Sequence, residues 1–230
     1  MSGYRWDFAS VFANFDLLLR GLVGTCKLAL VSFAFGLALG LLIGVARTLR
    51  NPLVNWPATA FVELFRNTPV LVQLIWFFYA FPIVLHAAFP RLAGAKLDAF
   101  TAATIALSLN TAAFAAEIFR GGIQSIARGQ WEAGRALGMT YVTLMRRIIL
   151  PQAVKRMIPA FTNRGIELTK MTSLASTIAV GELLYEGKLL SSIIYRPIET
   201  YTTVAVIYFV ILHAATLMVD RLELRLRRAD

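Results

Sequence analysis

Hydrophobic residues in this chain come in long unbroken runs separated by short basic segments. Uncharged stretches extend from Leu28 to Ala46, Asn67 to Pro90, Ala99 to Ala116 and Thr200 to Val219. Each approaches the ~20 residues a helix needs to cross a ~30 Å hydrocarbon core. A fifth apolar segment, between Gln152 and Val180, is interrupted by Arg164, Glu167 and Lys170. The basic residues argue that it crosses too. Segments 47–60, 120–156 and 221–230 carry more than half of the 23 Lys and Arg, and the positive-inside rule puts all three on the cytoplasmic side. Three inside segments separated by two outside ones require five crossings. The expected architecture is therefore a single all-α integral membrane domain over 1–230, with spans at 25–46, 62–85, 98–120, 153–175 and 200–220. Its N-terminus lies outside and its C-terminus inside.

Local patterning refines this outline. Phe8, Val11, Phe12, Phe15, Leu18, Leu19 and Leu22 recur at spacings of three and four, which predicts an amphipathic helix within 1–24 lying on the outer membrane surface. Gly36, Gly40 and Gly44 make two overlapping G-x-x-x-G steps, a small-residue stripe suited to close helix packing within the subunit. Pro69 is expected in the first turn of the second span with Thr68 as its cap. Glu63 with Arg66, and Glu117 with Arg120, sit one helical turn apart and are expected to pair. Gly121 and Gly122 are expected to end the third span. Trp76, Phe77, Phe78 and Tyr79 suit the outer interface. Residues 171–199 form an outside segment with room for a helix that dips back, and Pro197 marks the return to the membrane.

Composition agrees with a membrane protein and excludes several other classes. The chain is 58% hydrophobic and 16% charged, far from the near-even, quarter-charged balance of soluble domains. Its net charge of +10 would suit nucleic acid, but the charges lie in short loops beside apolar runs and form no basic face with interleaved aromatics. No nucleic-acid partner is expected. The single Cys26 allows no internal disulfide, and His86 and His213 stand in separate segments without a partner visible in sequence. Neither a metal site nor a catalytic pair is expected, so the chain does not read as an enzyme. The first residues mix both charge signs before any apolar run, so the first span is expected to act as an uncleaved signal anchor.

The most polar long stretch is EAGRALGMTYVTLMRRIILP, residues 132–151. Gln130 to Leu137 can form one short helix stopped by Gly138, and Thr140 can cap a second from Tyr141 to Ile149, ended by Pro151. Segment 123–151 is then a helical hairpin on the cytoplasmic side, with Glu132 near the positive end of its first helix. A rigid knob of this kind implies a cytoplasmic partner. Its spacing resembles the signature of membrane subunits of ATP-binding-cassette importers, E-A-A, three residues, G, nine residues, I-x-L-P. Glu132, Ala133, Gly134, Gly138, Ile148, Leu150 and Pro151 occupy those places, with Gly134 where alanine is usual. FRNTPVLVQLIWFFY and AEIFRGGIQSIARGQWEAGRALGM resemble the polar-amino-acid branch, and the resemblance covers most of the chain.

That resemblance implies a type I importer permease fold in the bacterial inner membrane, working by alternating access. It also implies a second permease chain, identical or similar, two ATPase subunits, and an extracytoplasmic substrate-binding protein. The sequence holds no G-x-x-x-x-G-K-[ST] phosphate loop, so ATP and Mg belong to the ATPase and no cofactor is expected on this chain. By the same resemblance Glu132 is a polar anchor for the ATPase, Ala133 and Gly134 allow close approach, and Gly138 sets the turn. Ile148, Leu150 and Pro151 pack the hairpin onto the membrane helices. Arg66, Pro69, Glu117 and Arg120 fall in the structural or gating class.

Charges inside a membrane helix are costly and point to function. Arg164, Glu167 and Lys170 recur every third residue, and two readings stay open. They form a self-neutralising stripe between helices, or they line a polar cavity where Arg164 or Lys170 meets a carboxylate and Glu167 an ammonium. Asn163, Thr169, Thr172 and Ser173 add neutral hydrogen-bonding groups. The second reading suits polar amino acids, with glutamate, aspartate or glutamine favoured. A rival class, an ATP-independent carrier or channel using these charges as a relay, leaves the hairpin without a task.

Overall fold

Caps and prolines set most of the helix boundaries. The computed structural model describes residues 4–49, 51–89 and 97–227, and all regular structure among them is helical. A single turn, α1 (Ala9–Phe12), precedes the long α2 (Phe15–Thr48). Asn51 accepts from the Leu53 N–H at 3.0 Å and opens α3 (Pro52–Arg66). Then come α4 (Val70–Ala88), α5 (Ala99–Gln124), capped by Asp98, and α6 (Arg128–Ala136). Short α7 (Tyr141–Leu144) leads into α8 (Leu150–Met171), followed by a 3-10 turn at Thr172–Ile178, α9 (Leu183–Ile194) and α10 (Pro197–Arg227).

Four described helices are long and apolar enough to cross a membrane: α2, α4, α5 and the Pro197–Arg221 part of α10. The fifth expected span coincides with α8, whose charges set its composition apart, although it packs against α2, α5 and α10. At the centre stands α5, where Ala102, Ala103, Ala106, Leu107, Ala112, Ala113 and Ala116 are fully buried. The glycine stripe of α2 meets this alanine face. A Cβ at Gly40 would lie 2.5 Å from Ala115 Cβ and 2.8 Å from the Ala112 carbonyl, and one at Gly36 would lie 2.6 Å from Thr111 Cβ. The stripe is the intrasubunit seam it was expected to be, with two backbones drawn together by dispersion where lipid offers no competing hydrophobic drive.

Four expectations require correction. Among the described residues of 1–24 the expected single surface helix is divided: the turn α1 ends at Phe12, α2 already begins at Phe15, and Val11 and Leu18 are wholly buried against Leu183, Leu190 and Val204. Protein receives that part of the apolar face, while Phe12 and Leu19 stay exposed. The span expected at 62–85 breaks at residues 67–69, because a residue before proline is disfavoured in helical conformation. Pro69 takes an extended ψ of 135° as the residue before α4, and the Thr68 hydroxyl donates 2.7 Å back to the Leu64 carbonyl instead of capping α4. Gly121 and Gly122 do not end α5, which continues to Gln124. Nor does Pro151 end a helix. A π turn at Met145–Ile149, in which the Leu150 N–H bonds five residues back to Met145, joins α7 to α8 without a break.

The same device recurs in α4, where a π turn at Trp76–Ala80 precedes Pro82 and the Phe81 N–H bonds to Trp76. Proline lacks an N–H, and its ring collides with the carbonyl four residues earlier in a regular helix. A wider turn just ahead of it displaces that carbonyl, so the helix continues.

Away from the 128–149 hairpin, the segment before α9 is pinned by a buried carboxylate. Glu182 is fully buried and accepts from the Leu184 N–H (3.0 Å), the Tyr185 N–H (2.7 Å) and the Tyr208 hydroxyl (2.7 Å). The Leu183 N–H donates to Thr25 Oγ1 at 3.1 Å. One acidic residue thus caps α9 and ties it to α10, while the neighbouring amide ties it to α2.

The seam makes a direct prediction. Gly40→Leu should lower stability by about 1–3 kcal/mol through overpacking, whereas Gly121→Ala, with open space around it, should be neutral or gain up to ~1 kcal/mol in helix propensity. Thermal unfolding midpoints of the two variants in mild detergent check both.

Candidate functional site

The hairpin is built from local signals. At the end of α6 the Gly138 N–H bonds to Arg135 O at 2.9 Å and the Met139 N–H to Gly134 O at 3.1 Å. Gly138 adopts φ +72°, the left-handed geometry that closes a helix C-terminus and that glycine takes without steric cost. Thr140 Oγ1 accepts from the Thr143 N–H at 3.3 Å and starts α7. Gly134 is buried directly against the Leu144 side chain, where an added Cβ would collide with Leu144 Cδ1. Glycine in place of the usual alanine is therefore matched to leucine at 144. Trp131 stacks near Tyr141 with ring centroids 6.3 Å apart, bracing the two arms.

Glu132, Ala133 and Gly138 are exposed on this knob and available to a partner. Ile148 packs at the edge of a core formed by Ile126, Leu144, Ile149, Ala153 and Met157. The expected packing role of Leu150 and Pro151 is corrected: Leu150 is 36% exposed and Pro151 is exposed. The π turn shifts the register, so Ile149 and Ala153 face the core in their stead.

Just above the hairpin, three arginines converge on one carboxylate. Glu117 accepts from Arg47 on α2 and from Arg120 at 2.8 Å, with Arg66 of α3 at 3.6 Å. The expected Glu117–Arg120 pair is present, but as part of a larger cluster. The expected Glu63–Arg66 pair is absent: Glu63 accepts from Asn67 at 2.9 Å, and Arg66 turns to α5.

Deeper in the bundle lies a second charged layer. Arg164 is buried to 3% exposure; its Nη2 donates to Asn110 Oδ1 at 2.6 Å and its Nη1 to Glu167 at 3.2 Å. Its guanidinium lies 4.1 Å from the centroid of Phe114, with Arg66 5.5 Å from the same ring. Asn110 Nδ2 donates to the Phe65 carbonyl at 2.9 Å, and Gln73 Nε2 donates to Phe65 O (2.9 Å) and Thr68 O (3.0 Å). These side chains satisfy carbonyls that the α3–α4 break, with Pro69 at its end, removes from helical bonding.

The expected polar stripe on α8 therefore divides. Arg164 turns inward, whereas Asn163, Glu167 and Lys170 remain exposed, with Glu167 at 58% side-chain exposure. Thr172 is buried and bonds the Thr169 carbonyl at 2.7 Å; the Ser173 hydroxyl bonds Lys170 O at 2.7 Å. Both hydroxyls serve the backbone first. Sequence reasoning did not single out Arg47, Gln73, Asn110, Phe114 or Glu182. Gln73 and Asn110 carried a usable signal, as amides inside otherwise apolar runs.

A model of the family described as binding-protein-dependent transport system inner membrane component matches residues 36–228. The glutamine transport system permease protein GlnP of Escherichia coli (strain K12) is 36% identical over 223 residues, covering 97% of this chain and 99% of that protein. The octopine transport system permease protein OccM of Rhizobium meliloti is 40% identical over 207 residues, covering 88% and 83%. Among solved structures, a crystal structure of an amino acid ABC transporter with histidines superposes with a TM-score of 0.89 at 34% identity, covering 96% of this chain and all of that one.

Removing the carboxylate from the arginine cluster should leave like charges facing one another. Glu117→Ala is expected to cost about 2–3 kcal/mol, between the values for exposed and buried pairs. Arg120→Ala, at a more exposed edge of the cluster, should cost under about 1 kcal/mol. Detergent-solubilised unfolding of both variants, compared at low and high salt, checks the ranking.

Proposed function

Because the chain belongs to the binding-protein-dependent transport system inner membrane components, as the permease of an amino-acid ABC importer, we propose that it moves polar amino acids inward by alternating access driven by ATP on a separate subunit. The observation that carries this reading is mechanical. The exposed hairpin is continuous, through the π turn, with the helix that displays Asn163, Glu167 and Lys170. A push on Glu132, Ala133 and Gly138 from an ATPase is transmitted along that helix to the polar face.

In this reading two ATPase subunits carry ATP and Mg, a second permease chain faces the polar side of α8, and an extracytoplasmic binding protein delivers substrate. The hairpin end is cytoplasmic and the N-terminus lies outside, in keeping with the placement of basic segments. Glu167 receives a substrate ammonium and Lys170 a carboxylate, with Asn163 beside them. Arg164, seated on Phe114 and Asn110, acts as an anchor and not as a direct ligand. Since this face presents one exposed charge of each sign, Glu167 and Lys170, zwitterionic amino acids fit it. Glutamine is favoured, in line with the substrate named for GlnP, with glutamate and aspartate next.

Co-purification from native membranes should recover an ATPase subunit, and proteoliposomes holding the full complex should take up L-glutamine only with ATP on the ATPase side. Glu132→Arg and Gly138→Pro are expected to lower ATP-driven uptake at least tenfold while the membrane subunits still assemble. Normal uptake by correctly assembled variants, or uptake without ATP, would overturn the coupling role and favour a carrier.

A further inference from the structure

Asn110 belongs neither to the hairpin nor to the exposed polar face of α8. It is 1% exposed on the central helix α5, and each end of its amide is engaged by a different part of the molecule. Its Oδ1 takes Arg164 Nη2 at 2.6 Å; its Nδ2 gives to Phe65 O at 2.9 Å, one residue before Arg66 closes α3. From the exposed Glu167 carboxylate a continuous path runs through Arg164 and Asn110 to the α3–α4 break, where Gln73 shares the same carbonyl. A second strand of contact runs from Arg164 to Phe114 to Arg66, which reaches Glu117 in the cluster above the hairpin.

We propose that Asn110 is a positioning residue that links occupancy of Glu167 to the geometry of the α3–α4 break, an inference that rests on the reading of Glu167 as part of the substrate path. Arg164 is a buried cation whose recorded counter-charge is Glu167, and its Nε has no partner. A substrate ammonium that claims Glu167 withdraws part of that counter-charge. The guanidinium then leans harder on its remaining partners, Asn110 Oδ1 and the Phe114 ring, because a buried charge tolerates no loss of compensation. Any shift of Asn110 is felt at Phe65 O, since one rigid amide makes both bonds. At the break the chain leaves the helical ladder after the Asn67 N–H bond to Glu63 O (3.1 Å) and rejoins it at the Gln73 N–H bond to Pro69 O (3.1 Å), so it is the soft element that this pull biases.

The test is a double-mutant cycle read by amide exchange. The permease, assembled with its ATPase in lipid nanodiscs, is compared as wild type, Glu167→Gln, Asn110→Asp and the double variant, following exchange over residues 64–74. Asn110→Asp removes the donor to Phe65 O but also sets a carboxylate beside Arg164, so the uncharged Asn110→Ser is the control for the added charge. Glu167→Gln and Asn110→Asp should each raise exchange at the break roughly threefold, and the double variant should show no more than the larger single effect. Additive effects, or a break that does not respond to Glu167→Gln, would overturn the link. If Asn110→Asp fails to assemble, Asn110→Ser enters the same cycle with the same criterion. Parallel L-glutamine uptake separates the two ideas. Normal uptake with no exchange coupling removes the link alone, whereas coupling without any amino-acid uptake removes the substrate reading of Glu167 and leaves Asn110 as an internal tie.

Discussion

Glu117 is the contact on which the hairpin end of the bundle depends. Arg47, Arg66 and Arg120 come from three helices that would otherwise present like charges to one another at the edge of an apolar interior. One carboxylate, with Arg47 and Glu117 largely shielded from solvent, lets α2, α3 and α5 converge there. The glycine–alanine seam then holds α2 against α5 from Gly36 to Gly44. Small residues bring the backbones close, and the charge cluster determines where along the helices that approach stops.

Much of this was legible in the sequence. The long apolar runs announced α2, α4, α5 and α10; the glycine stripe announced their tightest seam; Gly138 and Thr140 announced the hairpin turn. Signals that failed were those in which a local rule met a tertiary accommodation. Pro151 reads as a helix stop, yet a π turn absorbs it, and Gly121–Gly122 reads as an exit, yet packing carries α5 onward. Pro69 does break its helix, but the buried amides that make the break tolerable, Gln73 and Asn110, come from other turns and another helix. Pairing by sequence proximity missed Arg47 because its partner is seventy positions away. The direction in which Arg164 points was likewise not written in its spacing from Glu167 and Lys170; the Phe114 ring and the Asn110 amide decide it.

Two kinds of polar group in the apolar bundle are thereby distinguished. Glu117, Glu182 and Asn110, together with the amide nitrogen of Gln73, are engaged with protein and serve to fix helices relative to one another. Asn163, Glu167 and Lys170 share one exposed face of α8. The division is enforced by α8 itself, whose buried side carries Arg164 and Leu168 and whose other side carries no large apolar anchor at these three positions.

Residues 141–171, with Pro159 among them, run as one continuous helix through the π turn. At 1.5 Å per residue it is about 46 Å long, so a tilt of about 10° at the knob would sweep its far end by roughly 8 Å, more than the width of an amino-acid backbone. A proline that stopped the helix at 151 would have put a hinge in the shaft and let such a motion dissipate. The two wide turns ahead of Pro82 and Pro151 therefore do more than accommodate awkward residues: they keep each helix continuous past its proline.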